Sequence, residues 1–528
     1  MSDTTFYVTT PIYYVNDAPH IGHGYTTTIG DVLTRWHRQR GEKVWYLTGT
    51  DEHGQKVLRK AQANGVSPQE WVDRLVENEW KPLLRTIDAA NDDYIRTTEP
   101  RHEAGAKAFW SALHEAGAVY KGSFSGYYSV GSEEFVADEY VADGEGDDAG
   151  HKVSTLDGSR LEHMTEENYF FRLSDYADKL LELYREHPEF VQPASARNEV
   201  VSFVERGLRD LSISRSTFDW GIKVPWDDKH VMYVWVEALL NYLTAAGYGV
   251  DQERFEQLWP ASIHLVGKDI VRFHAVIWPA MLMAAGLPVP QQVFAHGWLL
   301  VGGQKMSKSK ANGIHPTELV DTFGSDAYRY YFTRALTFGS DGSISWEDIA
   351  ARYTAELANG FGNLASRVAA MIGKYFDGAL PAAGEPTAAE QKVVDTVAAA
   401  VAEADAAIDA VAPQDAMTAV WRIVDELNGY LTEQEPWKVA KDESQRDRLA
   451  TIMATAAEGL RVLAVVLNPV MPKACAALWE SLGAEGPLGP LADQRIDDVA
   501  RWGQLPAGTP VTKGPSLFPR LELETTQA

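Results

Sequence analysis

The 528-residue chain contains a single cysteine, Cys475, and this scarcity excludes several kinds of site. One thiol cannot form an internal disulfide or supply a multi-cysteine zinc or iron–sulfur centre. Such cysteine usage is typical of a reducing compartment, so we predict a cytoplasmic location. With 45% apolar residues, a chain of this length can bury about two to four domain cores without covalent staples.

A targeting signal and long apolar runs are also missing from the pattern. Residues 1–8 have no basic start and no apolar stretch, so they do not resemble a secretory signal. No segment of the sequence approaches the length of a membrane span by inspection. We therefore expect a soluble protein with no membrane partner.

Basic residues are few compared with acidic ones. Lys and Arg number 48 and Asp and Glu 74, which gives a formal net charge of −26. This balance argues against a nucleic-acid partner, because contacts to phosphate dominate such affinities. Binding depends on local patches, however, and acidic runs such as residues 143–148 can face away from a ligand. The charge makes an RNA partner less expected without excluding it.

The N-terminal pattern predicts a strand followed by a helix. Phe6–Val8 is apolar and β-prone, and apolar residues recur at helical spacing over Thr26–Trp36. His20, Gly22 and His23 therefore lie where the strand passes into the helix. In an α/β sheet such a corner binds ligands, and the start of the helix favours an anion. Surface or core histidines are the alternative interpretation of this short motif.

A second motif lies far downstream, in Gly302–Gly313, where three lysines fall within Lys305–Lys310. By itself this stretch could be a solvated basic loop. Together, His-Ile-Gly-His and Lys-Met-Ser-Lys-Ser resemble the two signatures of the class I aminoacyl-tRNA synthetases, both intact and in the family's order.

The resemblance implies particular roles for these residues. The expected catalytic residues are His20, His23, Lys305 and Lys308. The expected ATP-binding residues are His20, Gly22, His23, Asp269, His296, Gly297, Lys305, Met306, Ser307, Lys308 and Ser309. ATP is expected to enter with Mg²⁺, and the lysine loop is expected to close over it.

Two further stretches resemble the methionyl branch of that family. We predict that the sheet resumes at His230–Tyr242, whose apolar stripe is either core or, by resemblance, an amino-acid pocket. The stretch Ile263–His274 predicts a strand that ends in Gly-Lys-Asp and then starts a helix. Its Asp269 matches the residue that the family uses to bind polar groups of the adenylate, with helix capping as the alternative role. The expected methionine-binding residues are Ile12, Tyr14, Asp51, Trp235, Ala238, Leu239, Tyr242, Ile270 and His274. Asp51, otherwise a turn aspartate, would help receive the ammonium group.

Residues 119–224 differ in composition from their surroundings, with glycine and aromatic residues and an acidic loop typical of short strands and turns. We predict an inserted domain here. Many relatives carry a zinc knuckle in this insert, whereas the matching positions here are Ser129 and Ser132, and hydroxyls are poor zinc ligands. We therefore predict no zinc. The insert is also too small for a large hydrolytic editing module.

The C-terminal third is alanine-rich and predicts a helical bundle, with helices over Thr387–Ala410, Ala416–Thr432 and Arg446–Leu467. By resemblance to the methionyl branch, three residues would read the tRNA anticodon. These are Asn363, Arg367 and Trp437. Without the resemblance, Trp437 would be interpreted as a core residue.

The predicted fold class is α/β: a Rossmann-type parallel-sheet catalytic domain with an inserted connective domain, followed by an all-α bundle. The predicted boundaries are 1–118 and 225–295 for the two halves of the catalytic domain, 119–224 for the insert, 296–349 for the lysine loop and connecting domain, and 350–528 for the bundle. We expect no C-terminal tRNA-binding barrel and hence a monomer.

The resemblance implies activation of L-methionine by ATP to methionyl-adenylate and pyrophosphate, then transfer to tRNA(Met), including the initiator tRNA. A small nucleotidyltransferase shares the histidine corner, but the helical tail argues against it. A regulatory RNA-binding relative is expected to have broken signatures. A cysteinyl enzyme needs a thiolate-binding zinc site, which one cysteine cannot build.

Overall fold

The computed structural model describes residues 5–130, 134–136, 138–156, 158–301, 304–305 and 314–521. At residues 124, 134–135, 147 and 304–305 it describes the backbone only.

The strands of the described chain are numbered in chain order. They are β1 (Phe6–Tyr14), β2 (Val44–Asp51), β3 (Asp93–Arg96), β4 (Val119–Ser129), β5 (Glu134–Val136), β6 (Val141–Asp143), β7 (Lys152–Ser154), β8 (Arg160–Phe171), β9 (Val191–Gln192), β10 (Leu211–Ser212), β11 (Ser214–Arg215), β12 (Lys223–Val224), β13 (Asp227–Met232), β14 (Ile263–Gly267), β15 (Val293–His296), β16 (Leu299–Val301), β17 (Gln304–Lys305) and β18 (Gly342–Ile344).

The α-helices are numbered in the same way. They are α1 (Ile21–Gln39), α2 (Gln55–Ala63), α3 (Pro68–Leu75), α4 (Lys81–Thr86), α5 (Pro100–Glu115), α6 (Ala177–Glu186), α7 (Ala194–Glu205), α8 (Val234–Leu239), α9 (Asn241–Ala246), α10 (Gln252–Leu258), α11 (Trp278–Ala284), α12 (Pro316–Phe323), α13 (Ser325–Arg334), α14 (Trp346–Arg352), α15 (Asn363–Phe376), α16 (Ala388–Asp409), α17 (Pro413–Gln434), α18 (Pro436–Val439), α19 (Arg446–Leu467), α20 (Pro472–Ser481), α21 (Glu485–Leu488) and α22 (Ile496–Val499). Turns of π-helix cover Val76–Trp80, Phe273–Ile277 and Tyr353–Gly362.

The chain divides into two compact units. The first contains Met1–Pro19, Val44–Arg85 and Ala90–His296. The second contains His20–Lys43, Thr86–Ala89 and Gly297–Ala528.

The first unit is built on a six-stranded sheet in the order β3-β2-β1-β14-β15-β9, and every neighbouring pair is parallel. Strand β1 is rich in β-branched and aromatic residues, as buried parallel strands are. Its register with β2 shifts between Thr9 and Ile12, around Pro11, which has no N–H to give to the ladder. The order reverses between β1 and β14, which creates a crevice at the carboxyl ends of these strands. The predicted parallel-sheet fold is confirmed.

Residues 119–224 contribute a second sheet, in which β4 and β8 form a long antiparallel pair. The same range also contains the helices α6 and α7. Its strand β9 pairs with β15 and so belongs to the six-stranded sheet. Two residues are too short a strand to be recognised from sequence periodicity.

The prediction that the sheet resumes at His230–Tyr242 is wrong. Strand β13 instead forms a three-stranded antiparallel sheet with β11 and β12, and the chain then enters helices α8 and α9. A continuous apolar run is compatible with either a buried strand or a buried helix, so periodicity could not separate them here. The six-stranded sheet resumes at β14.

The second unit is mainly helical, and its helices α16, α17 and α19 agree closely with the predicted bundle. Thr387 caps α16 in a capping box with Glu390, and Pro413 occupies the first turn of α17. The helical C-terminal region is therefore confirmed.

One expectation from composition needs correction. The segment Glu443–Leu467, which contains α19, is long and apolar enough to cross a membrane, contrary to the expectation from the sequence. In its most apolar window, 89% of the residues are buried inside the protein. A central bundle helix is surrounded by other helices and is therefore apolar on all sides.

Candidate active site

Four elements of the first unit bring predicted site residues to the carboxyl edge of the sheet. Tyr14 ends β1 and lies opposite Asp51, which ends β2. Strand β14 ends at Gly267, and its neighbour β15 ends at His296, again directly opposite. Because parallel strands end at the same edge, residues far apart in sequence are gathered at one crevice.

Asp269 and His296 both lie close to Gly267. A Cβ added to Gly267 would stand 3.8 Å from Oδ2 of Asp269 and 3.9 Å from Cε1 of His296. Asp269 is exposed and lies in a single 3₁₀ turn, Lys268–Ile270, whose N-cap position belongs to Gly267. Its side chain therefore contacts solvent at this edge of the sheet.

Asp51 is only 5% exposed, although it ends a strand beside a loop. Its backbone oxygen accepts a hydrogen bond from the amide of Val15, at 2.9 Å, which ties the chain after β1 to β2. A buried carboxylate strongly favours a positively charged neighbour or ligand. This setting suits the predicted ammonium contact.

The predicted methionine-binding residues lie in or against one apolar core of the first unit. Leu239 and Tyr242 are buried members of that core. Partly buried side chains of the predicted set pack against it: Ile12, Tyr14, Trp235 and Ile270. Ala238 is 8% exposed on the same helix as Trp235 and Leu239.

The polar feature of this pocket is a hydrogen bond between Tyr242 and His274, with 2.8 Å between Oη and Nε2. Nδ1 of His274 lies 3.0 Å from the carbonyl oxygen of Ile270, which can only accept. Nδ1 therefore carries the proton, and Nε2 accepts the hydrogen of the tyrosine hydroxyl. One tautomer of a neutral imidazole satisfies both contacts.

Burial keeps both groups uncharged. It lowers the pKa of His274 to about 4, despite the opposing effect of the Ile270 carbonyl. It also raises the pKa of Tyr242. At neutral pH the pair offers dipoles and no net charge, which suits an apolar thioether with a weak sulfur acceptor.

The sequence did not single out Phe273, yet its ring stacks on Trp235 with 4.8 Å between centroids. Phe273 and His274 open the π-helical turn Phe273–Ile277. Such turns are frequent at functional sites, because the extra residue changes where side chains project. The apolar composition of this segment gave no signal for a π-turn.

His264 was also missed. Its ring stacks on Tyr242 at 4.2 Å between centroids, and its Nε2 accepts from the indole of Trp278 at 3.3 Å. Its Nδ1 therefore donates to Oγ1 of Thr9, 2.8 Å away. Burial lowers the pKa of His264 well below its ordinary value. A histidine inside an apolar strand was the signal that could have identified it.

His20 and His23 lie at the N-terminus of α1, in the second unit. Nδ1 of His20 accepts from the amide of Gly22 at 3.1 Å, and Nδ1 of His23 accepts from the amide of His20 at 3.0 Å. The rings stack with 3.7 Å between centroids. In the neutral form both protons are consequently on Nε2, which can donate to an anion at the positive end of the helix.

Gly22 has a steric role in this arrangement. An added Cβ would stand 3.0 Å from Cε1 of His20. Gly297 is still more restricted, since a Cβ there would stand 2.2 Å from the carbonyl carbon of Ser340. Both glycines of the predicted ATP site thus permit close approaches.

The lysine motif is described only in part. Strands β16 and β17 pair antiparallel with Lys305 opposite Leu300, and the backbone alone is described at Lys305. Met306, Ser307, Lys308 and Ser309 lie outside the described residues. The loop's role therefore stays a prediction.

The three predicted anticodon residues lie in the second unit. Asn363 is exposed at the start of α15, directly after a π-helical stretch. Arg367, one turn later, is half-buried and donates to Oδ1 of Asn428 at 3.4 Å, and burial lowers its pKa. Trp437 is 38% exposed on α18, so the alternative of a core residue is wrong.

Within the described part of the chain, no group of three or more His, Cys, Asp or Glu side chains could hold a metal ion. Of the two positions matching the zinc knuckle, Ser129 places its hydroxyl 2.9 Å from that of Ser159. Ser132 lies outside the described residues. The absence of zinc stays a prediction.

Comparison with known proteins connects both units to one family. Residues 6–369 match the family model described as tRNA synthetases class I (M), and residues 380–528 match the anticodon binding domain of methionyl tRNA ligase. A methionine–tRNA ligase of Streptomyces coelicolor is 62% identical over 520 residues, which cover 98% of this chain and 97% of that protein. A methionine–tRNA ligase of Caldanaerobacter subterraneus is 47% identical, over 98% of this chain and 79% of that protein.

Among solved structures, Mycobacterium tuberculosis methionyl-tRNA synthetase in complex with methionyl-adenylate is similar to this fold. The TM-score is 0.93 at 39% identity, over 98% of this chain and 100% of that one. The parallel sheet, the intact signatures and these matches have one common explanation. The chain belongs to the methionyl-tRNA synthetases of class I.

Proposed function

We propose that the residues described above carry out methionine activation, with the neutral Tyr242–His274 pair selecting the side chain. The overall reaction follows from family membership: the chain is a methionine–tRNA ligase that takes methionine, ATP and tRNA as substrates. The observation that carries the assignment of the pocket is the buried 2.8 Å hydrogen bond between Tyr242 and His274 beside Trp235 and Leu239. An uncharged polar tip in an apolar wall fits a thioether better than a charged or strongly hydrogen-bonding side chain.

In the first step, a carboxylate oxygen of methionine attacks the α-phosphorus of ATP. A bond from that oxygen to phosphorus forms, the bond from the α-phosphorus to its bridging oxygen breaks, and pyrophosphate leaves. Asp51 receives the methionine ammonium group, while Asp269 and His296 bind polar groups of the adenylate. Because these groups hold the reactants in place, much of the barrier is met by positioning.

Negative charge develops on the phosphates during this step, and four side chains stabilise that charge. Nε2–H groups of His20 and His23 donate to phosphate oxygens, and Lys305 and Lys308 hold the leaving pyrophosphate. Mg²⁺ enters with ATP as part of that substrate. In the second step, a hydroxyl of the terminal adenosine of tRNA attacks the methionyl carbonyl, and AMP leaves.

We further propose that Asn363, Arg367 and Trp437 read the anticodon, with the exposed indole of Trp437 as a plate for an unstacked base. The initiator tRNA is a substrate in this proposal, and the enzyme acts as a cytoplasmic monomer. Sedimentation equilibrium tests the monomer: a single species of 58.4 kDa supports it, and a species of twice that mass contradicts it.

The experiment that tests the activation step is exchange of labelled pyrophosphate into ATP, with each of the twenty amino acids in turn and no tRNA. We expect exchange with methionine alone. Exchange without any amino acid would favour a nucleotidyltransferase, and no exchange at all would favour a regulatory RNA-binding role.

A further inference from the structure

Behind the methionine pocket, the carboxylate of Glu237 lies between two histidines. Its Oε1 is 2.6 Å from Nδ1 of His53 and 3.7 Å from Nε2 of His102. Glu237 and His102 are fully buried, and His53 is 7% exposed. Removing a carboxylate from water is costly, and a buried ion pair is therefore weak as a device for stability alone. The positions of these three side chains are therefore more informative about function than their contribution to stability.

The three side chains connect separate parts of the pocket. His53 lies two residues after Asp51, and Glu237 lies on α8 between Trp235 and Ala238. His102 lies on α5, and its Nδ1 is 2.8 Å from Oγ1 of Thr244 on α9. The cluster thus links the loop that follows β2 with the two helices that carry the pocket residues.

Charge reinforces the link between His53 and Glu237. Burial would lower the pKa of His53, but the charge and hydrogen bond of Glu237, with the charges of Glu52 and Glu103, raise it overall. Burial would raise the pKa of Glu237, but His53 and His102 lower it overall.

The surroundings of His53 are otherwise closed. The edge of Trp220 lies against its ring at 5.0 Å between centroids, and the Trp220 indole donates to the backbone oxygen of Glu52 at 2.7 Å. The Glu52 carboxylate is bound by Arg96 at 2.7 and 2.9 Å. The His53–Glu237 pair is consequently held in one arrangement by its neighbours.

We propose that Glu237 is a positioning residue for methionine. Through His53 it holds α8 at a set distance from Asp51. The carboxylate that receives the methionine ammonium group and the pocket wall that contacts the methionine side chain therefore stay at a fixed distance from each other. This inference rests on the proposed methionine site. A purely structural salt bridge would instead affect the stability of the fold without separating methionine binding from ATP binding.

The test is the variant Glu237→Gln, assayed by pyrophosphate exchange. We expect its KM for methionine to rise about tenfold, while its KM for ATP and its kcat stay within about twofold of the starting enzyme. Folding is checked first by thermal unfolding and circular dichroism. A folded variant with unchanged KM values, or with equal changes for both substrates, would overturn the proposal.

The pH profile gives a second readout. Above the pKa of His53 the pair loses its charge, so kcat/KM for methionine should fall on the alkaline side. In Glu237→Gln the carboxylate that raises the pKa of His53 is gone, and burial lowers that pKa, so the fall in kcat/KM should move to lower pH. The profile for ATP should keep its position, and a methionine profile that does not move contradicts the proposal.

The matched control is Glu390→Gln in the second unit. Glu390 is 2% exposed and pairs with Arg448 at 2.7 and 2.9 Å, so the variant also removes a buried carboxylate. We expect a stability loss and an unchanged KM for methionine. A rise in that KM equal to the rise in Glu237→Gln would show that the effect is unspecific and overturn the proposal.

If Glu237→Gln does not fold, the double variant His53→Gln, Glu237→Gln is tested in the same way, because two amides can hydrogen-bond without a charge. A methionine-specific rise in KM supports the proposal, and no rise overturns it. Exchange by the unmodified enzyme distinguishes a failure of the proposed function from a failure of the role of Glu237. If it shows no methionine-dependent exchange, the proposed function fails; if it does and the variants match it, only the role of Glu237 fails.

Discussion

The proposed selection of methionine depends most on the hydroxyl group of Tyr242. In Tyr242→Phe, Nε2 of His274 stays buried and loses its hydrogen-bond donor. Leaving a buried acceptor unsatisfied costs about 1–3 kcal/mol. Because Tyr242 and His274 line the proposed methionine pocket, loss of their fixed arrangement should also raise the KM for methionine in pyrophosphate exchange about tenfold.

A suitable control for that variant is Tyr353→Phe in the second unit. The hydroxyl of Tyr353 donates to the backbone oxygen of Pro519 at 2.7 Å, so this variant also loses one partly buried hydrogen bond. The KM for methionine should not change in the control. Equal KM values in Tyr242→Phe and the starting enzyme would remove Tyr242 from the proposed site.

His274 also predicts a dependence of stability on pH. Its pKa is lowered from 6.5 to about 4, so between these values the unfolded chain binds a proton that the folded chain does not. The stability contributed by the neutral imidazole is complete above pH 6.5 and is lost as the pH falls towards 4. At about 1.4 kcal/mol per pKa unit, the loss is about 3 kcal/mol.

The measurement is urea unfolding of the starting enzyme and of His274→Gln between neutral pH and pH 4. The free energy of unfolding of the starting enzyme should fall more steeply than that of the variant, by about the stated amount. Parallel pH profiles for the two proteins would contradict a buried neutral His274.

Helix α1, which carries the proposed catalytic residue His23, is held in place by a buried ion pair. Asp31 on this helix lies 2.6 Å from the guanidinium of Arg329 on α13, and both side chains are fully buried. Arg329 also donates to the backbone oxygens of Pro469 and Val470. In Arg329→Met these acceptors and the Asp31 charge lose a partner, and we expect a loss of about 3–5 kcal/mol in the free energy of unfolding.

The matched control for Arg329 is Arg422→Met. Arg422 pairs with Glu403 at 2.6 Å, but both side chains are about half exposed, at 45% and 58%. Exposed pairs contribute about 0–1 kcal/mol, so little change is expected in urea unfolding. Similar losses in both variants would contradict the importance of burial.

The short helix α18 tests the anticodon proposal. In Trp437→Ala the exposed indole is removed, and stacking on a base is worth about 1–3 kcal/mol. We expect kcat/KM for tRNA in aminoacylation to fall about tenfold or more, with unchanged pyrophosphate exchange. Tyr140→Ala removes an aromatic side chain that is also 38% exposed and should leave both assays unchanged. Unimpaired charging by Trp437→Ala would exclude stacking.

At the level of elements, local signals predicted much of the fold. The apolar periodicity after His20 placed the first helix, and His20 is indeed the N-cap residue of α1. The predicted range of α19, Arg446–Leu467, agrees with the structure at both ends. The stretch His230–Tyr242 did not yield to the same reasoning, because its apolar run suits a strand and a helix equally.

The charge of the whole molecule bears on how it meets tRNA. A net charge of −26 repels RNA at long range, so binding must rely on local contacts between basic side chains and phosphates. Such contacts release counterions, and their strength falls steeply with salt. We expect kcat/KM for tRNA to fall about tenfold or more between about 50 and 200 mM salt, while methionine-dependent exchange changes little. Equal salt dependence in both assays would contradict this.

By itself, the sequence determined the family, the parallel α/β fold, the helical C-terminal region and the identity of the signature residues. These conclusions rest on local order along the chain: capping residues, periodicity and short motifs. Only the tertiary structure decided that β9 joins the main sheet, that Trp437 is exposed, and that His53 meets Glu237 across 184 positions. The reason is physical, since pairing partners and burial depend on which distant segments pack together, and a local pattern contains no information about them.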